Sequence, residues 1–201
     1  MQPCYWEAQI HIIGKQMGTG RTKPYACFCE ASRITKNEII VSQNQEIFVV
    51  KLMGESEMTC RASVFEIVAA MLAQSLGVNC VEPAIVTLHP DIDVQSYCDR
   101  AVDVNIEHFG SKYISSHFIY SPEKFLEKEM LDQALRIYIF DMLTQNPDRR
   151  KGNPNLFTDG TNLVMYDHDS AFSFLFDLFN THEAWQFMHL PFATDHILFN
   201  Y

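Results

Sequence analysis

The sequence predicts an α+β protein in two lobes. The first, over residues 1–107, is built on an antiparallel sheet. The second, over residues 108–201, is short and mainly helical. Three observations lead there. Strand-like runs rich in β-branched and aromatic residues crowd the first half, at 8–13, 25–29 and 46–53. Apolar residues recur at helical spacing over 61–76 and 122–145. An Asp-Gly turn at Asp159-Gly160 joins two short strand-like runs into a hairpin. With 201 residues, 47% of them hydrophobic, the chain can bury a sizeable core.

The bulk properties narrow the function classes. A net charge of -10 argues against general affinity for nucleic acid or an anionic membrane. The six cysteines include no C-x2-C pair, which argues against zinc and fits reduced thiols in a cytoplasmic protein. No apolar run reaches the ~18 residues of a membrane span. The opening MQPCYWEAQ lacks the basic and apolar regions of a signal peptide.

Taken in order, the strand at 8–13 leads into a loop rich in glycine and cations, Gly14 to Pro24, and the strand at 25–29 resumes after it. Gly18 and Gly20 supply a G-x-G pair whose backbone N–H groups are able to approach phosphates closely. Lys23 stands where a third glycine would fall, and a plain hairpin tip is the competing account. Residues 31–45 read as a polar loop with a short extra strand at 39–41. The run EIFVVKLM at 46–53 is apolar on both faces, as a central strand would be. Lys51 interrupts it and must reach solvent, an anion or a carboxylate.

The helix at 61–76 ends at Gly77. Val64, Phe65, Val68, Met71 and Leu72 form its apolar stripe. Glu66 lies on a second face with Ala62, Ala69, Ala70 and Ala73, small enough for another element to come close. Glu66 serves as a partner for Lys51 or as a solvated surface acid. A strand follows at 84–88, then an acidic connection at 90–107. The segment 108–113 has no reading from chemistry alone. Ser121-Pro122-Glu123 is a helix start. The helix at 122–145 carries Met130, Leu131, Ala134, Leu135, Tyr138, Ile139 and Met142 as its stripe. Asp141 near its end is given a structural role, accepting hydrogen bonds from the following loop. His182, His189 and His196 are too loosely spaced for a metal cluster.

The most informative stretch is 146–172, NPDRRKGNPNLFTDGTNLVMYDHDSAF. A hairpin across 155–166 brings its two ends together, so Asp148 and Asn153 sit near Asp167. An amide oxygen from Asn153 and a carboxylate from Asp167 make a hard-oxygen Mg²⁺ site. Asp148 is left to orient an attacking hydroxyl and accept its proton. The five-residue interval from Asp148 to Asn153, then strand, turn, strand and aspartate, is the protein-kinase arrangement, and a surface loop whose Asn, Asp and Pro make ordinary turns is the competing account. Arg150 lies where kinases commonly place a cation that meets the transferred phosphoryl group.

The segments GTGRTKPY, FVVKL, FEIVAAMLAQSLGV, HFGSKY, FDMLTQNPDRRKGNPNLF and YDHDSAF together resemble the small HipA-like kinase family. The resemblance implies a bilobal protein-kinase-like fold, ATP and Mg²⁺ as cofactors, and phosphoryl transfer to a protein serine or threonine. It places the nucleotide lysine at Lys51 and its partner at Glu66. It places the catalytic aspartate at Asp148 and the metal ligands at Asn153 and Asp167. Arg150 stands where the family often has histidine, and Asp169 where it often has glycine. An antitoxin-like or neighbouring-gene protein partner and autophosphorylation at Thr19 or Thr22 are further implications.

The leading expectation is thus an ATP- and Mg²⁺-dependent phosphotransferase. The first alternative is a nucleotide-binding regulatory or toxin–antitoxin-type module without turnover, motivated by the short second lobe. The second is a metal-dependent phosphohydrolase using Asp148, Asp167 and Asp169, against which the net acidity and the Lys51–Glu66 arrangement count.

Overall fold

The computed structural model describes residues 2–18, 22–54, 58–121, 126–175 and 190–200. Gly20 and Thr19 of the glycine loop, residues 122–125 before the second helix, and His182 and His189 lie outside the described residues.

The first half folds as strands β1 (Cys4–Gln16), β2 (Tyr25–Thr35), β3 (Ile39–Val41) and β4 (Glu46–Lys51), helix α1 (Cys60–Ser75), then β5 (Pro83–Leu88) and β6 (His108–Lys112). Their sheet runs β1-β5-β6-β4-β2, and β1 pairs with β2 as well, so five strands close into a barrel. β3 hangs on the far half of β2, against Ser32, Arg33 and Ile34. Two register shifts in the β1–β2 pair, between Ile10 and Ile12 and between Ile13 and Gln16, mark irregularities of the kind that curve a ladder. β1 alternates buried and accessible positions. Its inward residues Trp6, Ala8 and Ile10 fill the barrel with Cys27, Cys29, Phe48, Val50, Ala84 and Val86.

The structure corrects the expected antiparallel sheet in two ways. β1 and β5 pair in parallel, Trp6 with Ala84 through Ile10 with Leu88. The reason is α1, which carries the chain back before β5 begins, where a hairpin would have reversed it. The sheet also extends past residue 107, where the sequence reading placed a boundary. β6 pairs with β4 and with β5, so His108–Lys112 completes the barrel. Residues 31–35, expected in a loop, continue β2.

The second half holds β7 (Phe118–Ile119), α2 (Lys128–Thr144), β8 (Leu156–Thr158) and β9 (Leu163–Met165). β8 and β9 form the expected hairpin, and β7 adds a third strand to it. The expectation of a mainly helical second lobe included the hairpin but not β7, and α2 is the one α-helix among its described residues. α2 starts after Glu127, so the cap expected at Ser121 does not begin it. A second core joins α2 (Ala134, Ile137, Phe140), the hairpin (Leu156, Leu163, Met165) and the late segment (Ile197, Leu198) to Ala69 and Ala73 of α1. The chain leaving α1 is hydrogen-bonded to β9, Met165 N to Asn79 O at 2.9 Å and Val81 N to Met165 O at 2.9 Å. No described helix is long and apolar enough to cross a membrane.

α1 buries a face other than the one its large apolar residues mark, while α2 buries Met130, Ala134 and Met142 of its expected stripe but leaves the rest of that stripe more accessible. In α1 the buried residues are Ser63, Glu66, Ala69, Ala70, Ala73 and Gln74, while Val64, Val68 and Leu72 are exposed. In α2 they include Met130, Ala134, Ile137, Phe140 and Asp141, while Leu131, Leu135 and Ile139 are exposed. Close approach selects the small residues of α1: the second core reaches Ala69 and Ala73, where a leucine would hold it away. At the start of α1, Thr59 caps the first turn by accepting from Ala62 N. Gly77, at φ +70, closes the last turn with Gly77 N to Gln74 O at 3.1 Å and Val78 N to Ala73 O at 2.9 Å.

The buried face is open to test by urea denaturation. Val68→Gln should change stability by under about 0.5 kcal/mol, as exposed positions do. Ala73→Leu should cost about 1–3 kcal/mol through overpacking. A larger loss from Val68→Gln than from Ala73→Leu would contradict the packing described.

Candidate active site

Lys51 is the last residue of β4 and is buried. Its Nζ donates to Glu66 Oε1 in a short contact, and to Asp167 Oδ1 at 2.6 Å. Glu66 comes from the middle of α1 and is 1% exposed. Its other oxygen, Oε2, accepts from the backbone N–H of His168 at 2.7 Å. Three elements distant in sequence therefore converge on one carboxylate and one ammonium. Asp167 is held at φ +59, a left-handed conformation that aspartate tolerates better than most residues. Surrounding contacts must sustain it.

The electrostatics follow from burial and partners. Burial opposes the charge on Lys51, but Glu66 and then Asp167 raise its pKa above the ordinary lysine value. Burial pushes the Glu66 carboxyl up to about 7, with the Lys51 ammonium pulling the other way. Burial would also raise Asp167, yet Lys51 overrides it and holds that carboxyl below the usual range. Asp169, raised by burial and by the charge of Asp167, also feels Lys51 and Asp148. We take the ammonium as charged and Asp167 as ionised; Lys51 is the shared counter-ion.

The loop after α2 carries the remaining candidates. Asn153 Nδ2 donates to Asp148 Oδ2 at 2.8 Å, which leaves the Asn153 carbonyl oxygen as the atom available to a cation. Arg150 Nε is 3.8 Å from Asp148 Oδ1, with its side chain 63% exposed. Gly18, at φ +68, needs the conformational freedom of glycine. Among the described residues, no cluster of three or more His, Cys, Asp or Glu has the arrangement to hold a metal by itself. A hard cation at Asn153 and Asp167 would therefore draw its other ligands from phosphate oxygens and water, as Mg²⁺ commonly does. The donor set, oxygens with no sulfur or imidazole, fits that ion.

Arg149 was not singled out in the sequence, and it organises this region. Its side chain is fully buried. Nε donates to Asp141 Oδ2 at 2.5 Å, Nη1 to the Asn155 carbonyl in a short contact and to the Tyr166 carbonyl at 3.3 Å, and Nη2 lies 3.4 Å from His168 Nδ1. Asp141 also accepts from Asn146 Nδ2 at 3.3 Å. Burial would raise the Asp141 carboxyl, but the Arg149 guanidinium keeps it low. Asp141 is structural, but its carboxylate bonds the side chains of Arg149, Asn146 and His196 where backbone amides of the following loop were expected. One signal pointed to this pair: an aspartate inside an apolar helix needs a buried cation. The Arg149-Arg150-Lys151 run hid it, because a run of cations reads as solvated surface.

A cavity of about 610 Å³ lies on the barrel over Glu7, Gln9, Glu30 and Glu107, away from all of these residues. Lys51 and Asp167 are in direct contact, so no comparable space lies between them. A smaller one of about 250 Å³ is lined by Thr59, Arg61, Phe65, Pro147, Asp169 and Ser173.

Barrel, helix and hairpin together have the fold of a kinase. The structure is similar to the proinflammatory kinase CtkA of Helicobacter pylori, with a TM-score of 0.53 and 14% sequence identity, over 82% of this chain and 57% of that one. At that identity the likeness is one of fold. The chain spans 57% of the length of that kinase. The sequence pattern of the HipA-like kinases matches residues 10–189, and the chain belongs to that family. No curated protein matches the sequence.

Two buried histidines give the fold an acid limit. Burial pushes His108 down to about 4, and burial followed by the Arg149 charge pushes His168 down to about 3. Each is neutral in the folded chain, whereas the unfolded chain protonates near pH 6.5. The contribution of these two histidines to stability is therefore full above pH 6.5 and is lost as pH falls toward the folded values, by up to about 3 kcal/mol from His108 alone. Thermal melts between pH 7 and 4 should show this loss. His108→Gln should flatten the slope whatever it does to the plateau; an unchanged slope contradicts the assignment.

Proposed function

We propose that the chain is an ATP- and Mg²⁺-dependent phosphotransferase acting on a serine or threonine hydroxyl of a protein, with the two cores forming two lobes and nucleotide held between them. One observation carries the proposal: the Lys51 ammonium is fixed by Glu66 and lies 2.6 Å from Asp167, so a buried cation and a metal-type carboxylate share one spot.

In this account Lys51 binds phosphate oxygens, and Glu66 keeps the ammonium from swinging away. The amides at Gly18 and Gly20 cover the phosphates. Asn153 and Asp167 would hold Mg²⁺, which when bound supplies positive charge against the phosphates. The chemistry asked of the protein is mainly positioning and electrostatics. The acceptor hydroxyl oxygen bonds to the γ-phosphorus while the bond to the β–γ bridging oxygen breaks. ADP leaves with that electron pair, and the hydroxyl proton passes to Asp148. The bond from Asn153 Nδ2 aims Asp148 for this, and Arg150 offsets charge on the moving phosphoryl group. The protein acceptor, an antitoxin-like partner and a cytoplasmic setting belong to the same proposal.

A second reading has its own observation. Lys51 occupies Asp167 directly, and a chain that never released that carboxylate would bind nucleotide without turning it over. One pair of measurements separates them. Asp148→Asn should lower phosphate transfer from labelled ATP by about 100-fold or more, the scale of a lost proton acceptor. The thermal shift induced by Mg²⁺ and ATP should be unchanged in that variant. Transfer at full rate by Asp148→Asn refutes the role of Asp148. A thermal shift without any transfer by the unaltered chain selects the second reading.

A further inference from the structure

The segment 190–200 lies far along the chain from the catalytic loop, yet it is bonded into it. Ile197 N donates to the Arg149 carbonyl at 3.1 Å, and His196 forms a bridge with Arg150. His196 is 3% exposed and its ring stands edge-on to Tyr138, ring centres 5.0 Å apart. Leu198 N donates to His196 Nδ1 at 3.1 Å, so that nitrogen carries a lone pair and the proton sits on Nε2. Nε2 is 3.0 Å from Asp141 Oδ2, the oxygen that also receives Arg149 Nε.

We infer that this segment, through His196, is a positioning element of the phosphoryl-transfer site, an inference that rests on the phosphotransferase reading above. The chain of contacts runs His196 to Asp141, Asp141 to Arg149, and Arg149 to the carbonyls of Asn155 and Tyr166. Each end of that guanidinium lies beside a site residue. Asp148 precedes Arg149, Asn153 stands two residues before Asn155, and Asp167 follows Tyr166. One buried cation thus sets the relative places of the proton acceptor and both proposed metal ligands. Its orientation depends on a carboxylate with two anchors besides itself, Asn146 and His196. Without the imidazole, Asp141 turns more freely and the guanidinium loses its fixed angle. Such a shift spoils alignment for transfer far more than nucleotide affinity, because the direct bond from Lys51 to Glu66 does not run through Arg149.

The full chain is compared with His196→Ala, His196→Gln and Met130→Ala. Met130 lies in the same apolar core but takes no part in this network, so its variant controls for lost stability. Hydrogen exchange should accelerate several-fold over 146–155 and 164–170 in His196→Ala and stay near the unaltered rate in Met130→Ala. In transfer assays well below the melting point, His196→Ala should lose about ten-fold or more in kcat with KM for ATP within about two-fold. His196→Gln, whose amide is able to donate to Asp141, should recover part of both effects. Unchanged exchange in His196→Ala, or equal acceleration in Met130→Ala, overturns the inference. Faster exchange in those two segments alone supports it even where the unaltered chain transfers no phosphate, which would defeat the phosphotransferase reading instead.

Discussion

The contact of Lys51 with Glu66 is the constraint on which the remaining structure depends. Neither group is stable in a protein interior alone. A lone buried carboxylate or ammonium costs several kcal/mol, and breaking such a pair by removing one partner costs about 3–5 kcal/mol. The pair therefore dictates where β4, α1 and the exit of the hairpin lie. β4 must deliver the lysine at its end. α1 must turn a small-residue face inward so that the glutamate reaches it. The hairpin must end where the His168 amide satisfies the second glutamate oxygen.

A second buried cation, Arg149, works beside the first, and residues 166–168 pass between them. The Tyr166 carbonyl and the His168 ring belong to Arg149, while the Asp167 carboxylate belongs to Lys51. The His168 amide goes to Glu66. With its neighbours pinned on both sides, Asp167 is held in a left-handed conformation that would otherwise cost about 1–2 kcal/mol. Such strain is kept only where surrounding bonds over-determine it, and here it places the carboxylate on the Lys51 ammonium. Asp148 and Asn153 are carried along because their loop begins and ends on the same guanidinium.

Much of this was legible in the sequence, for physical reasons. A lysine inside a two-faced apolar strand demands a partner, and Glu66 on an alanine-lined helix face offers one. The hairpin was readable from its Asp-Gly turn, and it fixes which distant residues meet. Barrel closure was not readable, because residue alternation says nothing of which strand lies next to which. Nor was the parallel pairing of β1 with β5, a consequence of where α1 sets the chain down. The helix faces were misjudged from size: Val64, Val68 and Leu72 outrank Ala69 and Ala73 in hydrophobicity, but close packing chose the alanines. Arg149 escaped notice, and His196 was weighed only against a metal cluster, because the places of both come from burial, which their neighbours in sequence do not announce.

The central claim is that Lys51, Asp167 and Asn153 converge to hold a triphosphate. A crystal structure with Mg²⁺ and a non-hydrolysable ATP analogue tests it most directly. The account predicts the Lys51 ammonium on phosphate oxygens, still bonded to Glu66, and Asp167 turned from Lys51 to the metal alongside the Asn153 oxygen. Nucleotide bound elsewhere, or a metal that neither Asp167 nor Asn153 touches, would contradict it.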